Sequence, residues 1–271
     1  MTQKPDWVPG SVDITVPHAA RIYDYALGGD HHFEVDREFW ERAKGLMPGA
    51  EVLARANRAF LGRSIRWLAA AGITQFLDIG SGIPTIGNVH EVAQEADPEA
   101  KVMYVDIDPI AVEQSRSLLR GNPRARVIEG DLREPDSILY HPDVLDLLDF
   151  ARPVAVLTVA VWHFVPDTAK PAEIVSKIGD ALVKGSYLVV SHLGPDTTPE
   201  GLEEQARVVK LYENTPTPAT IRSAAEVAAL IGPGFDILDP GVTAVTDWFP
   251  DPEDADDPPT PTGLGAVARK R

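Results

Sequence analysis

The sequence contains no cysteine among its 271 residues, and this absence excludes several classes of chemistry. A chain without thiols has no disulfide framework, no cysteine-based zinc site and no cysteine nucleophile. Basic residues are also scarce, since 25 Lys and Arg stand against 41 Asp and Glu and give a formal net charge of −16. A chain this acidic repels a phosphate backbone, so we expect no nucleic acid among its partners.

Long apolar runs are absent as well. The first ten residues, MTQKPDWVPG, lack the apolar core of a signal peptide, and no run approaches the roughly 20 residues of a membrane span. The sequence therefore predicts a soluble, cytoplasmic protein without a membrane partner. Hydrophobic residues make up 44% of the chain, which is ordinary for a globular protein large enough to bury an α/β core.

The acidic excess begins near residue 72, where the sequence pattern also changes. Residues 1–72 hold nine basic and nine acidic residues, whereas residues 73–271 hold 16 basic and 32 acidic ones. We therefore divide the chain into an N-terminal helical lid (1–72), a core (73–250) and an acidic, proline-rich C-terminal segment (251–271). The stretch DPEDADDPPTPT in that last segment is typical of a solvated tail or loop.

Apolar periodicity predicts helices in the first segment and alternating strands and helices in the second. The lid helices are predicted at 19–27, 35–46 and 50–71. The strands that follow are predicted at 73–80, 101–107, 125–130, 153–161 and 185–193. Because these runs are apolar on both faces and alternate with helical stretches, they indicate a parallel sheet covered by helices. A strand pair with a Pro-Gly turn is predicted at 235–248.

A glycine-rich turn follows the first predicted strand, in the stretch Asp78-Ile79-Gly80-Ser81-Gly82-Ile83-Pro84-Thr85. Gly80 and Gly82 permit a tight turn and a close approach of the backbone to a ligand, although such turns also use glycine for structure alone. A dinucleotide fingerprint would place a third glycine where Thr85 stands. The sequence therefore disfavours a pyrophosphate-binding loop and a nicotinamide oxidoreductase.

Acidic residues end the next two predicted strands. Asp106 lies 24 residues after Gly82, an offset at which a carboxylate can accept hydrogen bonds from two ribose hydroxyls. Asp108 precedes Pro109 and is more simply the N-cap of the next helix. Asp131 follows the third strand and could accept from an adenine amino group or cap its own loop. Because parallel strands end at one edge of a sheet, these residues predict a nucleoside site there.

The predicted end of the fourth strand carries the run Val161-Trp162-His163-Phe164, which would face the reacting group in this topology. His163 is a candidate general base or acceptor-orienting residue, and a structural histidine is the alternative. Trp162 and Phe164 could form the walls of a pocket for an apolar substrate. His192, at the end of the fifth strand, is a second candidate base.

These stretches resemble the class I, seven-stranded S-adenosylmethionine (SAM)-dependent methyltransferases, and more narrowly an actinobacterial S-adenosyl methyltransferase family of unassigned substrate. The resemblance spans nearly the whole chain, with matching stretches at 20–38, 56–94, 104–110, 152–167 and 186–192. The chain departs from the family at Asp30-His31-His32-Phe33, where a Lys-Asp-Asn-Phe type segment is usual. The implied fold is α/β, with a Rossmann-like seven-stranded sheet, mostly parallel with a terminal antiparallel hairpin, and an N-terminal helical lid.

The resemblance implies SAM as cofactor and S-adenosyl-L-homocysteine as product. The implied cofactor residues are Asp78, Gly80 and Gly82 at the methionine end, Asp106 at the ribose, Asp131 and Leu132 at the adenine, and Ser81, Ile107 and Ala160 beside them. The SAM carboxylate needs a cationic donor, for which Arg58 and Arg21 of the lid are candidates, although either could instead form a salt bridge. Tyr23 could cover the cofactor or simply pack in its helix, and Gly28 and Gly29 could let the lid approach closely.

These residues predict a SAM-dependent methyltransferase acting on a small molecule, because the acidic chain has no basic patch for a polyanion. The alternative is a SAM-binding regulatory or interaction protein without transferase activity. No Asn-Pro-Pro-Tyr type motif follows the fourth strand, so methylation of exocyclic amines on nucleic-acid bases is disfavoured. A metal site is not expected, because His31 and His32 are adjacent and diverge on any regular element.

Overall fold

The computed structural model describes residues 8, 10, 12–84, 87–213, 215–252, 258–260 and 262–271. Thr85, most of the first ten residues and residues 253–257 of the acidic stretch lie outside the described residues. The predictions made for them above therefore have no structural counterpart here.

Three helices open the described chain: α1 (Ala19–Ala26), α2 (Glu34–Leu46) and α3 (Ala50–Ala70). The predicted lid helices are thereby confirmed to within one residue at each end. His18 caps α1, because its ring nitrogen accepts a hydrogen bond from the amide of Ala20. Gly28, with a left-handed φ of 82°, follows the end of this helix.

The described residues form one sheet of eight strands: β1 (Gln75–Ile79), β2 (Lys101–Asp106), β3 (Ala125–Glu129), β4 (Ala155–Thr158), β5 (Tyr187–Leu193), β6 (Phe235–Ile237), β7 (Thr243–Ala244) and β8 (Gly263–Lys270). Seven of them lie in the order β3-β2-β1-β4-β5-β8-β6, and β7 pairs with β8 beside this path. The first five strands are parallel, whereas β8 is antiparallel to β5 and β6. The predicted mixed sheet with a terminal antiparallel hairpin is confirmed.

The terminal hairpin uses other residues than predicted. β6 does not pair within 235–248 but with β8, where Phe235 lies opposite Lys270. β8 comes from the segment predicted as an acidic C-terminus, yet it is buried from Gly263 to Ala268 and lies between β5 and β6. Its run GLGAVARK is short, contains two glycines and follows a proline-rich stretch, so its apolar signal is weak.

Helices cover both faces of the sheet: α4 (Val89–Ala96), α5 (Pro109–Leu118), α6 (Pro135–Leu139), α7 (Pro142–Leu147), α8 (Pro171–Asp180), α9 (Pro199–Tyr212) and α10 (Ala224–Ile231). Successive side chains of β1 point to opposite faces, so Phe76 joins one apolar cluster with α3 and α4. Leu77 joins the other cluster with α6, α7, α8 and α10. Among the described helices, none combines the length and apolarity needed to cross a membrane.

The lid helices pack against a helix from the second half of the chain. Ile22 of α1 and Phe39 of α2 form a small apolar cluster with Leu211 and Tyr212 of α9. The Phe39 and Tyr212 rings lie 4.7 Å apart in an edge-to-face arrangement. α9, which follows β5 in the chain, thereby joins α1 and α2 at the carboxyl edge of the sheet.

Candidate functional site

A cavity of about 350 Å³ lies at the carboxyl edge of the parallel strands, between the sheet and helices α1, α2, α3 and α9. The strand order reverses between β1 and β4 at this edge, which is where open α/β sheets bind ligands. The predicted residues that line the cavity are Tyr23, Arg58, Asp78, Gly80, Ser81, Gly82, Asp106, Ile107, Asp131, Leu132, Ala160, His163, Phe164 and His192.

Two predicted glycines do not line the cavity. The left-handed φ of Gly28 serves the turn that ends α1, and a Cβ at this position would meet no atom within 4 Å. The Gly29 amide donates a hydrogen bond to the Asp24 carbonyl and closes the same turn. Neither glycine is among the residues that line the cavity, so their predicted role toward a ligand stays a prediction.

Trp162 does not line the cavity either. β4 ends at Thr158 rather than at the predicted residue 161, and Ala160 then adopts a left-handed φ of 58°. Trp162 and His163 lie on a single 3-10 turn, in which the Trp162 side chain is fully buried in the apolar core. The turn therefore reverses the expectation for Trp162 and leaves His163 and Phe164 at the cavity wall.

Arg21 is buried in an ion-pair cluster outside the cavity lining. Its Nε donates to Asp108 Oδ2 at 3.2 Å, and its Nη1 lies 3.6 Å from Asp36 Oδ2. Asp108 Oδ1 accepts from the Ile110 amide at 2.8 Å, which confirms the predicted N-cap of α5. Although burial alone would raise the pKa of Asp108, a hydrogen bond from His18 and the charge of Arg21 lower it. Arg21 thus joins the lid to α5.

Two features fix the glycine loop: there is no space for a side chain at Gly80, and a carboxylate accepts a hydrogen bond from the amide of Gly82. Gly80 has a φ of 76°, and a Cβ there would lie 2.6 Å from Cγ2 of Val161. Gly82 has a φ of 68°, and its amide donates to Asp106 Oδ2 at 2.7 Å. The Ser81 hydroxyl oxygen is buried without a hydrogen-bond partner among the described residues. This leaves one unsatisfied polar group in the loop beside the cavity.

Two neighbouring carboxylates differ in their partners. Asp106 accepts from the amides of Gly82 and Asp108, and burial raises its pKa. Asp78 is only 4% exposed, and its carboxylate receives no hydrogen bond from the part of the chain that the structure describes. Burial raises the pKa of Asp78 to about 7, although the charge of Arg58 lowers it. A buried carboxylate of this kind is costly unless a cation pairs with it.

Asp131 is held by a neighbour in its own loop. Arg133 Nε donates to Oδ1 at 2.9 Å and to Oδ2 at 2.8 Å, and the Arg133 amide donates to Oδ1 at 2.9 Å. Burial alone would raise the pKa of Asp131, but the hydrogen bonds from Arg133 lower it. The loop-capping alternative is therefore realised, while Asp131 and Arg133 both still line the cavity.

Arg222, which no sequence motif marked, fixes the loop after β4. Its Nη1 donates to the Trp162 carbonyl at 3.0 Å and to His192 Nε2 at 2.8 Å, and its Nη2 donates to the Val165 carbonyl at 2.9 Å. His192 donates through Nδ1 to the Leu193 carbonyl, so Nε2 is free to accept. Burial lowers the pKa of His192 to about 4, which keeps this ring neutral.

A hydrogen-bonded chain joins the lid to the strand ends. The Tyr23 hydroxyl donates to the Ala54 carbonyl and accepts from Asn57 Nδ2, each at 3.0 Å. Asn57 Oδ1 accepts from the Ser191 hydroxyl at 2.5 Å, and that hydroxyl accepts from the Ala160 amide at 2.8 Å. Asn57 and Ser191 were missed because nothing in a helix or strand pattern marks a partner 134 residues away.

The cap side of the cavity was also missed. Its lining comes from α2 and the residue that follows it, the first turn of α3, and α9, namely Trp40, Ala43, Met47, Ala50, Leu53, Val208 and Tyr212. These apolar residues follow the ordinary helical period, which is typical of core packing as well as of a pocket wall. Within the described ranges, no cluster of three or more His, Asp or Glu side chains could hold a metal ion.

Comparisons with known proteins place this geometry among related chains. A family model described as S-adenosyl methyltransferase matches residues 5–271. The chain is similar to a DUF574 family protein from Streptomyces avermitilis, with 40% identity over 96% of this chain and 99% of that one and a TM-score of 0.88. It is also similar to a proposed methyltransferase from Thermobifida fusca, with 38% identity over 98% and 100% of the two chains and a TM-score of 0.90. No curated protein matches it.

Proposed function

This chain belongs to the S-adenosyl methyltransferase family, and we propose that it methylates a small molecule held in the cavity beside SAM. It is a SAM-dependent methyltransferase, and SAM is its cofactor. When bound, SAM supplies an electrophilic methyl group carried by a sulfonium. The contribution of the protein is to hold the acceptor in line with that group and to exclude water.

The unsatisfied groups of the cavity suit the methionine end of SAM. Asp78 is a buried carboxylate without a hydrogen bond from the described residues, and the SAM ammonium and sulfonium are cations. The buried Ser81 hydroxyl, which also has no partner there, can bond the same end. Arg58 lines the cavity and carries the charge that a carboxylate requires. We assign these three residues, with Gly80 and Gly82, to the methionine end.

The nucleoside end is assigned to the ends of β2 and β3. Each oxygen of Asp106 accepts one backbone hydrogen bond and retains a lone pair for a ribose hydroxyl. The neighbouring Ile107 is 42% exposed at the cavity and offers an apolar surface for a planar base. Asp131 and Leu132 line the same end, and we assign them to the adenine. Tyr23 on the lid and Ala160 at the strand ends, joined through Asn57 and Ser191, bound the site between them.

The size of the cavity is the observation that supports a small molecule as the methyl acceptor. Ligand pockets commonly measure about 300 to 1,000 Å³, and this cavity of about 350 Å³ lies near the lower limit. Because SAM occupies part of a cavity of this size, the remaining space is enough only for a small acceptor molecule. The lid helices bound it on the side opposite to the sheet, through residues such as Tyr23 and Trp40.

Calorimetry tests the cofactor assignment. We expect SAM to bind, NAD not to bind, and Asp106→Ala to weaken SAM binding by about tenfold or more, because unpaired buried partners cost about 1 to 3 kcal/mol. Asp180→Ala, at an exposed acid outside the cavity, is the matched control and leaves the affinity unchanged. Unchanged affinity in Asp106→Ala would refute the ribose assignment. Incubation with labelled SAM and cell extract then tests the acceptor, since a labelled macromolecule in place of a labelled small molecule refutes the proposal.

A further inference from the structure

The part of the cavity formed by Trp40, Met47, Leu53, Val208 and Tyr212 is here called the cap chamber, and none of the described residues that form it is charged. The charged residues that line the cavity lie elsewhere, on α3 and at the strand ends: Arg58, Asp78, Asp106, Asp131 and Arg133. A charged acceptor would find no ionic partner in the cap chamber and would lose its hydration there. The cap chamber therefore favours an uncharged molecule.

Aromatic rings run from the cap chamber to the end of β5. The Tyr212 and Phe164 ring centroids lie 5.6 Å apart, and the Phe164 and His163 centroids lie 4.2 Å apart. The His163 and His192 rings follow at 5.8 Å. These spacings are close to those of stacked and edge-to-face pairs, about 4.5 to 7 Å. A planar aromatic molecule inserted beside this wall would meet ring faces and edges that already favour such packing.

A proton acceptor lies in the same wall. His163 lines the cavity and is 7% exposed; its Nδ1 is buried, and within the described ranges this atom has no hydrogen-bond partner. The charged or titratable groups that face it are His192 and Arg222. Burial, with these two groups, holds the pKa of His163 well below its ordinary value. The ring is therefore neutral at neutral pH and keeps a lone pair available.

We propose that the acceptor is an uncharged aromatic molecule with a hydroxyl group, bound in the cap chamber with that hydroxyl against His163. This inference rests on the proposed function, because it names the acceptor of the same site. In the reaction, the hydroxyl oxygen forms a bond to the methyl carbon while the carbon–sulfur bond breaks and its electron pair stays on sulfur. His163 takes the hydroxyl proton and returns it to solvent after the products leave.

Binding of 2-naphthol to the protein loaded with S-adenosyl-L-homocysteine tests the acceptor class. We expect calorimetry to detect 2-naphthol binding and 2-naphthoate, a carboxylate of similar shape, to bind at least about tenfold more weakly. Tyr212→Leu should weaken 2-naphthol binding by about fivefold, because it removes one ring of the wall. Tyr140→Leu makes the same change at a tyrosine that is 66% exposed and outside the cavity lining, and it should leave binding unchanged.

Turnover tests the role of His163. With SAM present, we expect mass spectrometry to detect 2-methoxynaphthalene. His163→Gln should keep SAM and 2-naphthol affinities within about twofold while the methylation rate falls by about 100-fold, the usual range for lost general-base catalysis. The retained SAM affinity shows that the variant is folded. A rate within about threefold of the parent would refute the proton-acceptor role.

The outcomes separate this inference from the proposed function. If SAM itself does not bind, the proposed function fails. If SAM binds but 2-naphthol does not, or 2-naphthoate binds equally well, the acceptor class is wrong and the cofactor assignment stands. Binding of 2-naphthol without methylation overturns the hydroxyl assignment alone. Equal losses in Tyr212→Leu and Tyr140→Leu place the probe outside the cap chamber.

Discussion

Three carboxylates at consecutive strand ends have different electrostatic states. Asp78 has no hydrogen bond from the described residues and a pKa raised to about 7, whereas the hydrogen bonds from Arg133 lower the pKa of Asp131. Asp106 lies between these cases, because two backbone amides partly offset its burial. The sequence predicted where these residues lie. It could not predict their protonation, which depends on neighbours such as Arg133 and on the depth of each side chain.

The raised pKa of Asp78 makes SAM affinity depend on pH. In the free protein the carboxyl is half protonated near pH 7, and only its charged form pairs with a cation. A bound cation favours the carboxylate, so affinity is complete above pH 7 and falls as pH drops through 7. We expect calorimetry to show about tenfold weaker SAM binding at pH 6 than at pH 8.

Asp78→Asn is the test of this assignment, because it keeps the shape and removes the titrating group. It should bind SAM more weakly than the parent at pH 8 and show little change between pH 6 and 8. The pKa of Asp106 is also raised. If SAM binding to Asp78→Asn kept the full pH dependence, the titrating group would be Asp106, and the role given to Asp78 would be wrong.

Among the elements, the loop after β4 departs most from its predicted form. The apolar run at 153–161 is typical of one long buried strand, but β4 is four residues long and ends at Thr158. The residues that follow form a loop held by a tertiary contact, since Arg222 in the segment before α10 donates to the carbonyls of Trp162 and Val165. A pattern within the run does not contain information on a donor about 60 residues later. The parallel strands β1, β2, β3 and β5 and the lid helices, by contrast, follow from periodicity alone.

Arg222→Met should destabilise this loop and the site it carries. It leaves the buried Val165 carbonyl without its donor and removes one of the two donors to the Trp162 carbonyl, which keeps a hydrogen bond from the Val165 amide. An unpaired buried carbonyl costs about 1 to 3 kcal/mol. We expect the free energy of unfolding in urea to fall by about 2 kcal/mol or more. Methylation should weaken as well, because His163 lies on the same loop.

Asp167→Asn is the matched control, since Asp167 pairs with Arg222 but its side chain is 80% exposed. The Arg222 side chain is only 6% exposed, but the Asp167 carboxylate stays in water, so we expect its loss to cost about 1 kcal/mol or less. If both variants lose the same stability, the carbonyl contacts of Arg222 are not what holds the loop.

At the scale of the whole molecule, the uneven distribution of charge along the chain corresponds to two parts of the cavity, one uncharged and one acidic. The neutral N-terminal helices supply the uncharged Trp40 and Met47 of the cap chamber, and the acidic remainder supplies Asp78 and Asp106 at the sheet edge. Composition could indicate this contrast, and the strand–helix alternation could indicate the fold. Which helix returns to complete the lid could not be predicted, because the packing of α9 on α1 and α2 joins residues far apart in the chain.

The C-terminal strand β8 is the other feature of the whole molecule that the sequence pattern did not predict. Its position in the sheet predicts that substitutions at two neighbouring sites of this strand differ sharply in their effect on stability. β8 pairs with β5 and β6 at once, so its eight residues complete the sheet instead of forming a solvated tail. Val267 is 0% exposed in the cluster with Phe76 and Val189, whereas Arg269, two residues later, is exposed.

Val267→Asp should therefore lower the free energy of unfolding by at least about 3 kcal/mol, because it buries a charge without a partner. Arg269→Asp places the same side chain on the exposed part of the same strand, opposite Asp236 of β6, and should lower stability by about 1 kcal/mol or less. Urea denaturation followed by circular dichroism measures both. Similar small losses in the two variants would mean that β8 lies outside the sheet, and the hairpin would then have to be formed within 235–248 after all. A loss of stability in Val267→Asp alone would mean that the strand between β5 and β6 is formed by the last residues of the chain.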